Sequence, residues 1–280
     1  MRILNEILDD YSEYCHRRLQ AEFGAYSQGS YDPIYLYQRL KCRIIEKKAR
    51  AVSEANGLAI PNKYKIAYEE IINSVKAGSC LKKYQSRKLK SLHYDDDMLS
   101  HWGIQHLHLG QNLEQDGFVV RTRDLLFVHF SNSEAHVLGV FDHGAWCDLD
   151  LVQIMHDNWP EKMEAYKLNS NSGVLTEEEH KTLRKKHANA NVTVSDGTEY
   201  LCPGLGVTVN GAPLYAVLNT QNVIFMFNRA FELIENNIEK ILSSDPEKRR
   251  SETITVGIEI IHDSNAIAYK IKETGFVFTL

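Results

Sequence analysis

The chain lacks the long apolar segments and the cysteine patterns that mark membrane proteins and disulfide frameworks. None of its apolar runs approaches the roughly 18 residues that a membrane helix needs. Its five cysteines are odd in number and none is close to another in sequence, which argues against disulfides and against Cys-x-x-Cys metal sites. Acidic residues at Glu6, Asp9 and Asp10 interrupt any secretory signal core. We therefore expect a cytoplasmic protein with no membrane partner.

The composition excludes a disordered or fibrous chain and gives little sign of general polyanion binding. Hydrophobic, charged and aromatic residues make up 43%, 25% and 10% of the 280 residues, as in ordinary globular proteins. The net charge is −5: residues 1–100 carry 17 basic against 13 acidic residues, and the other 180 carry 15 against 24. This modest basic excess at the start leaves RNA as a candidate partner of a local site only.

Hydrophobic periodicity divides the chain into a helical start and a mixed remainder. Residues 3–92 follow a helical pattern, with a second helix predicted over Ile34–Ala55. After Leu92 the pattern alternates between strand-like runs and helices, and three strand-like runs end the chain. We predict an α+β protein with a helical region at 1–92 and, at 93–280, a mainly antiparallel sheet with packed helices.

A basic run follows the helical start. Residues 82–90 hold five cations, among them Lys83, Arg87 and Lys88. Such a run is typical of a solvated helix face, and the alternative is a strip that contacts phosphates. We take these three side chains as candidate substrate-binding residues.

Histidines concentrate in the centre of the sequence. Seven of the twelve lie between residues 101 and 156, where uniform scattering would place about two. In the segment Ile104–Leu109 the strand period of two puts His106 and His108 on one face, with their side chains roughly 7 Å apart along the strand. Leu107 and Leu109 face the other way, toward a core.

A predicted hairpin follows, with strands at 125–130 and 135–141. Its register makes His129 face His136 across the strands, and its apolar faces predict an interior position in the sheet. We expect these two histidines, at the turn end, to meet solvent. Asp142 and His143 lie at the opposite end, where loops often carry functional groups.

Three chemistries are compatible with this pattern. In the first, His106 and His108, with His143 or Asp142, act as general base and acid on a phosphodiester, because imidazole populates both protonation states near neutral pH. RNA supplies its own 2′-hydroxyl nucleophile, so that reaction needs no metal. It does need a cation near the phosphorus, from Arg121, Arg123 or the basic run.

In the second chemistry, His106 and His108 bind Zn²⁺ or Fe²⁺ together with His143, Asp142 or Glu114, leaving a position open for hydrolysis or oxygen chemistry. No acidic ligand follows at a recognised spacing, which favours the metal-free interpretation. In the third, the histidines are structural and the protein is a non-catalytic interaction module that binds its partner through the basic run and tyrosines.

The segment Tyr94–Leu109 (YDDDMLSHWGIQHLHL), with Asp124–Phe127 and Asp142–His143, resembles a group of uncharacterised bacterial and mobile-element proteins. The likeness covers about 90–160 and implies a bacterial or phage origin but no activity. The centre also resembles, at the level of fold alone, the RelE-like ribonuclease toxins, which place helices before a small antiparallel sheet.

The sequence therefore predicts a His-based, metal-independent ribonuclease of a defence or toxin type. We expect it to form an oligomer or to bind an inhibitory partner protein. His106 and His108 form the predicted acid–base pair, with His143 as third member. Asp142 is the predicted orienting carboxylate, and Arg121 or Arg123 the phosphate clamp. A Zn or Fe hydrolase on the same histidines is the alternative.

Overall fold

A computed structural model describes residues 1–169, 173–247, 252–261 and 266–280. The helices are α1 (Ile7–Phe23), α2 (Pro33–Arg43), α3 (Lys65–Ala77), α4 (Asp97–Trp102), α5 (Asp150–Asn158), α6 (Pro160–Met163), α7 (Glu177–Lys185), α8 (Leu214–Asn236) and α9 (Ile238–Ser243). The strands are β1 (Arg2–Asn5), β2 (Ala51–Glu54), β3 (Ile104–His108), β4 (Asp124–Phe130), β5 (Glu134–Asp142), β6 (Lys167–Leu168), β7 (Val192–Thr193), β8 (Glu199–Tyr200), β9 (Thr253–Ile261), β10 (Ala266–Ile271) and β11 (Phe276–Phe278).

The chain forms two compact units. The terminal unit holds residues 1–38 and 217–280, and the central unit holds residues 39–216. Residue 92, where the sequence predicts a boundary, lies inside the central unit. Both units combine helices with sheets, so the predicted α+β class and helical N-terminal region are confirmed. Among the described residues, no helix has the length and apolar character needed to cross a membrane.

The central unit is built on a four-stranded sheet in the order β2-β5-β4-β3. β3, β4 and β5 are antiparallel, and His129 pairs with His136 as the hairpin pattern predicts. The interior position of β4 and β5 is likewise confirmed. A second, small sheet in the order β6-β8-β7 lies in the same unit.

Both faces of this sheet are buried. Leu107 and Leu126 pack in one cluster with residues of α3, whereas Ile104 and Phe127 pack in a second cluster with residues of α4 and α5. Burying each such side chain contributes about 1.5–3 kcal/mol, which fixes the strand register because a slip by one residue would exchange the faces. His106 and His108 share the face of Ile104 and therefore point toward the α4–α5 layer.

Two segments of the predicted helical start are strands, and these predictions are wrong. The helix predicted over Ile34–Ala55 ends at Arg43, and residues 51–54 pair in parallel with β5. The segment between them carries Lys47, Lys48 and Arg50, and pairing with a distant strand decides the conformation of residues 51–54. Residues 2–5 form β1, which pairs in parallel with β9 more than 240 residues away.

The terminal unit packs α1 and α8 against a sheet in the order β1-β9-β10-β11. Its core includes Ile7 and Tyr11 of α1, Phe227 and Ile234 of α8, and Val256 of β9. The long helix predicted over 220–242 is divided at Asn237 into α8 and α9. The three C-terminal strands are confirmed, while the turn predicted at 263–265 lies outside the described residues.

A buried arginine of the central unit holds the loop that leads into α4. Arg43, at 2% exposure, donates hydrogen bonds to the carbonyl oxygens of Ser91 (3.0 Å), Tyr94 (2.6 Å) and Leu92 (3.3 Å). Without the guanidinium these carbonyl oxygens would lose their partner, at about 1–3 kcal/mol for an acceptor that stays buried.

We expect Arg43→Met to lower the free energy of unfolding by about 3 kcal/mol, since the thioether fills the space but donates nothing. Chemical denaturation measures the change. Lys47→Met, at an exposed cation four residues away, is the matched control and should stay within about 0.5 kcal/mol of the parent. Equal stability of the two variants would contradict this role of Arg43.

Candidate functional site

A cleft of about 330 Å³ opens beside β3 in the central unit. Two of the predicted catalytic residues, His106 and His143, line it. The remaining lining residues come from the segment before β3, from β4 and from the loop after β5: Ser86, Lys88, Tyr94, Asp95, Asp96, Asp97, Met98, Leu125, Phe127 and Trp146. The cleft thus combines imidazoles, carboxylates, one ammonium group and aromatic rings.

His106 lies against a carboxylate that the sequence analysis missed. The distance from His106 Nδ1 to Asp96 Oδ2 is 3.5 Å. The other oxygen of Asp96 accepts the backbone N–H groups of Met98 and Leu99, each at 3.1 Å, and so caps α4. The sequence could have shown Asp96 as the N-cap of a short helix, because an aspartate just before a helix is a common cap. It could not show that Asp96 approaches His106, because that contact depends on the fold.

Two arginines at the end of α2 fix the segment that carries Asp96. Arg39 binds both carboxylate oxygens of Asp95, at 2.6 and 2.5 Å, and also donates to the carbonyl oxygen of His93 at 2.7 Å. Arg43 donates to carbonyl oxygens of residues 91–94, just before Asp95. Bidentate arginine–carboxylate pairs give geometric precision as well as energy. The position of Asp96 therefore depends on α2, which is distant in sequence.

His143 stands at the exposed end of the cleft. Its ring centroid lies 6.4 Å from that of His106 and 6.5 Å from that of His108. The structure thus brings together the three predicted histidines. The backbone N–H of His143 donates to the carbonyl oxygen of Arg123 at 3.0 Å, which ties the loop to the start of β4.

Asp142 is placed differently from the predicted orienting carboxylate. It accepts the Gly144 N–H at 2.9 Å and the Arg123 Nε–H at 2.8 Å. These bonds lower the pKa of Asp142, the arginine contact most strongly. Asp142 therefore shapes the turn that carries His143, and Asp96 is the carboxylate that faces an imidazole.

His108 is buried behind the cleft rather than exposed in it. It is 4% exposed, and its Nδ1 accepts the Thr122 N–H at 3.3 Å. Burial, with smaller effects of the neighbouring His106 and His143, lowers the pKa of His108 to about 4. At neutral pH the ring is therefore uncharged with its proton on Nε2. It can donate a hydrogen bond but does not exchange protons as a base–acid pair requires.

Of the predicted cations, Lys88 is the one that lines the cleft. Its ammonium group lies 4.8 Å from the centre of the Tyr94 ring, a cation–π distance. Lys83 instead lies over the Tyr84 ring at 4.7 Å.

The three predicted arginines have other surroundings. Arg87 binds Glu114 and Asp116 and donates to the Val119 carbonyl oxygen. Arg123 is exposed and binds Asp142. Arg121 is exposed as well, and its charge helps to lower the pKa of His108.

A Zn or Fe site, the alternative from the sequence, would need a group of histidine, cysteine or acidic side chains around one point. Within residues 1–169, 173–247, 252–261 and 266–280, no group of three or more histidine, cysteine or acidic side chains is arranged to hold a metal ion. His108 also commits Nδ1 to a backbone N–H. The described side chains therefore do not fit a three-ligand centre of His106, His108 and His143.

Of the other central histidines, His101 and His136 are buried, and His129 and His156 are half-buried. His136 is 1% exposed, and its ring lies 5.8 Å from that of His129 and 4.7 Å from that of Trp159. The expectation that this pair meets solvent is wrong for His136, because the Trp159 ring packs against it. Burial lowers the pKa of His129 to about 4 and that of His101 to about 3.

We expect His108 to stay neutral down to about pH 4. Because its folded-state pKa lies below the unfolded value of about 6.5, the unfolded chain binds more protons between pH 6.5 and 4. The contribution of His108 to stability is complete above pH 6.5 and falls by about 1–3 kcal/mol as the pH drops through that window.

NMR titration of the imidazole signals, assigned with a His108→Gln variant, measures this pKa directly. The decrease in unfolding free energy from pH 7 to pH 5 should also be smaller in the variant than in the parent. A His108 signal that titrates near pH 6.5 would show that the ring is hydrated and available for proton exchange.

Comparisons of the chain with protein-family profiles, curated proteins and solved structures found no match.

Proposed function

We propose that the cleft cleaves RNA by metal-independent acid–base catalysis, with His106 and His143 as the catalytic pair. The observation that carries this proposal is that both imidazoles line one open cleft with ring centroids 6.4 Å apart. Two rings at this separation leave room for a phosphoryl group that each reaches by a hydrogen bond of about 2.8 Å. Relative to the sequence-based hypothesis, His143 replaces His108 in the pair.

The chemistry assigns the two rings different roles. His106, with Asp96 beside Nδ1, accepts the proton of the ribose 2′-hydroxyl at Nε2. The 2′-oxygen then attacks phosphorus, and the bond from phosphorus to the 5′-oxygen breaks. His143 donates a proton to that leaving oxygen. The products are a 2′,3′-cyclic phosphate and a free 5′-hydroxyl, and no metal or other reactant is consumed.

The surroundings of the pair support charge stabilisation and substrate placement. Lys88 supplies the positive charge that the developing phosphorane needs. The half-buried Trp146 lines the same cleft and offers a ring face on which a base can stack. Arg121, whose charge acts on His108, adds positive potential near the cleft.

This proposal describes a cytoplasmic ribonuclease of bacterial or phage origin, with a defence or toxin-type role. Such an enzyme would have to be restrained in the cell that makes it, which supports the expectation of an inhibitory partner or an inactive oligomer. The support for these points is the sequence pattern alone.

We expect His106→Ala and His143→Ala each to lower the rate of RNA cleavage about 10²–10⁴-fold, because each removes one proton transfer. The assay uses mixed-sequence single-stranded RNA in EDTA, with mass spectrometry of the cyclic phosphate ends. His16→Ala in the terminal unit is the matched control and should keep the parent rate.

Circular dichroism and urea denaturation establish that the variants fold. Full activity in both cleft variants, or no cleavage of any RNA by the parent, would overturn the proposal. If the parent cleaves no RNA, the non-catalytic interaction module would be the favoured function. Activity lost in EDTA and restored by Zn²⁺ or Fe²⁺ would instead favour the metal-dependent hydrolase.

We expect Asp96→Asn to lower kcat about ten-fold or more with little change in KM, since the amide oxygen keeps the α4 cap while the charge facing His106 is lost. Steady-state kinetics on a short RNA measures both constants. Asp142→Asn, which weakens the Arg123 pair but keeps an acceptor for the Gly144 N–H in the turn that carries His143, is the comparison variant. A larger loss in that variant would assign the orienting role to Asp142.

A further inference from the structure

The terminal unit has an open strand edge that the proposed catalysis does not use. β9 runs from Thr253 to Ile261, but β1 pairs only with its first part, up to Val256. Beyond that point the β1 side of β9 has no neighbouring strand among the described residues. The chain leaves the β1 position at Glu6, whose N–H still donates to the Val256 carbonyl oxygen at 2.8 Å, and turns into α1.

The alternation of β9 defines which backbone groups face this edge. The Ile258 N–H points away from β10 and donates to Asp10 Oδ2 at 3.1 Å. Groups two residues apart in a strand point to the same side, so the N–H and C=O of Ile260 face the same edge. In the part of the chain that the structure describes, neither Ile260 group has a strand partner on that side. Open edges of this kind accept an added strand.

A groove of about 800 Å³ lies against this edge. One wall is α1, through Glu13, Tyr14, Arg17 and Arg18, and the other includes the backbone at Ile258–Ile260. Its volume is large enough for several residues of extended chain. The groove belongs entirely to the terminal unit.

The α1 wall of the groove carries unbalanced positive charge. On the other side, Lys270 pairs with Glu259 at 3.1 Å, and Lys272 pairs with Asp10 at 2.6 Å and with Glu6 at 2.7 Å, so both lysines are compensated. Arg17 and Arg18 are both exposed and make no ion pair with any described residue. On this wall Glu13 offsets one of the two charges, so one positive charge is left over, and both guanidinium groups are available to an anionic ligand.

We propose that this groove binds an acidic, extended segment of a partner protein, which adds as a strand to β9 where β1 ends. Main-chain hydrogen bonds to Ile260 and to the Ile258 carbonyl oxygen supply affinity. Acidic side chains on one face of the segment reach Arg17 and Arg18. The strand edge favours a peptide over RNA, because alternating amide donors and acceptors match a polypeptide backbone and not a phosphodiester chain.

The probe is a capped peptide in which valine and glutamate alternate, titrated by fluorescence anisotropy into the full-length protein. Two peptides serve as controls: one with lysine for glutamate, and one with the original sequence but N-methylated at alternate residues. N-methylation removes the main-chain donors and leaves the charge intact. We expect both controls to bind at least about ten-fold more weakly. Hydrogen exchange at the Ile260 amide should slow when the acidic peptide is bound.

A charge exchange tests the arginines. Arg17→Glu/Arg18→Glu should weaken the acidic peptide about ten-fold or more and strengthen the lysine peptide. Arg229→Glu, at an exposed arginine of α8 in the same unit, should alter neither. The substituted side chains are exposed, so the fold is retained.

Several outcomes would overturn the proposal. These are no binding of the acidic peptide at millimolar concentration, equal binding of the N-methylated peptide, or unchanged exchange at Ile260. Tighter binding of single-stranded RNA that depends on the two arginines would identify the groove as a nucleic-acid site instead. None of these results depends on RNA cleavage by the central unit.

Discussion

Burial of the central sheet on both faces determines which histidines can take part in chemistry. A charged imidazole in an apolar layer loses its hydration, so the neutral form is favoured wherever helices cover the sheet. This explains the lowered pKa values of His101, His108 and His129. His106 and His143 lie where the helical cover ends and the cleft begins. The enrichment in histidine thus has two causes, one structural and one that fits a site.

The local parts of this arrangement could be predicted from the sequence, and the parts set by distant pairing could not. Alternation in Ile104–Leu109 and the turn at 131–134 are carried by neighbouring residues, so β3 and the β4–β5 register were predictable. β1 and β2 are four-residue strands whose conformation depends on parallel partners far along the chain. Short strands of this kind have no periodicity of their own to detect.

The same distinction applies to the candidate site. His106 and His143 were predictable because strands and strand ends present side chains in a regular way. Asp96 was not, since its approach to His106 depends on Arg39 and Arg43, which hold residues 91–95 from a helix about 50 positions earlier. Local proximity suggested Asp142 instead, but a neighbouring cation and a turn N–H bind that carboxylate. Whether Asp142 or Asp96 assists catalysis remains a prediction.

The charge of the cleft bears on how such a site would act on RNA. Asp95 is neutralised by Arg39, and Asp96 is shared between two backbone N–H groups and His106. What remains is Lys88 with the carboxylates of Asp96 and Asp97, so the lining has no positive excess to attract a polyanion. Affinity would then come mainly from stacking on Trp146 and from placement of one phosphate, with little dependence on salt. Catalysis in this cleft would depend on the positions of two imidazoles. The buried Arg39 and Arg43 hold residues 91–95 and thereby keep Asp96 beside His106.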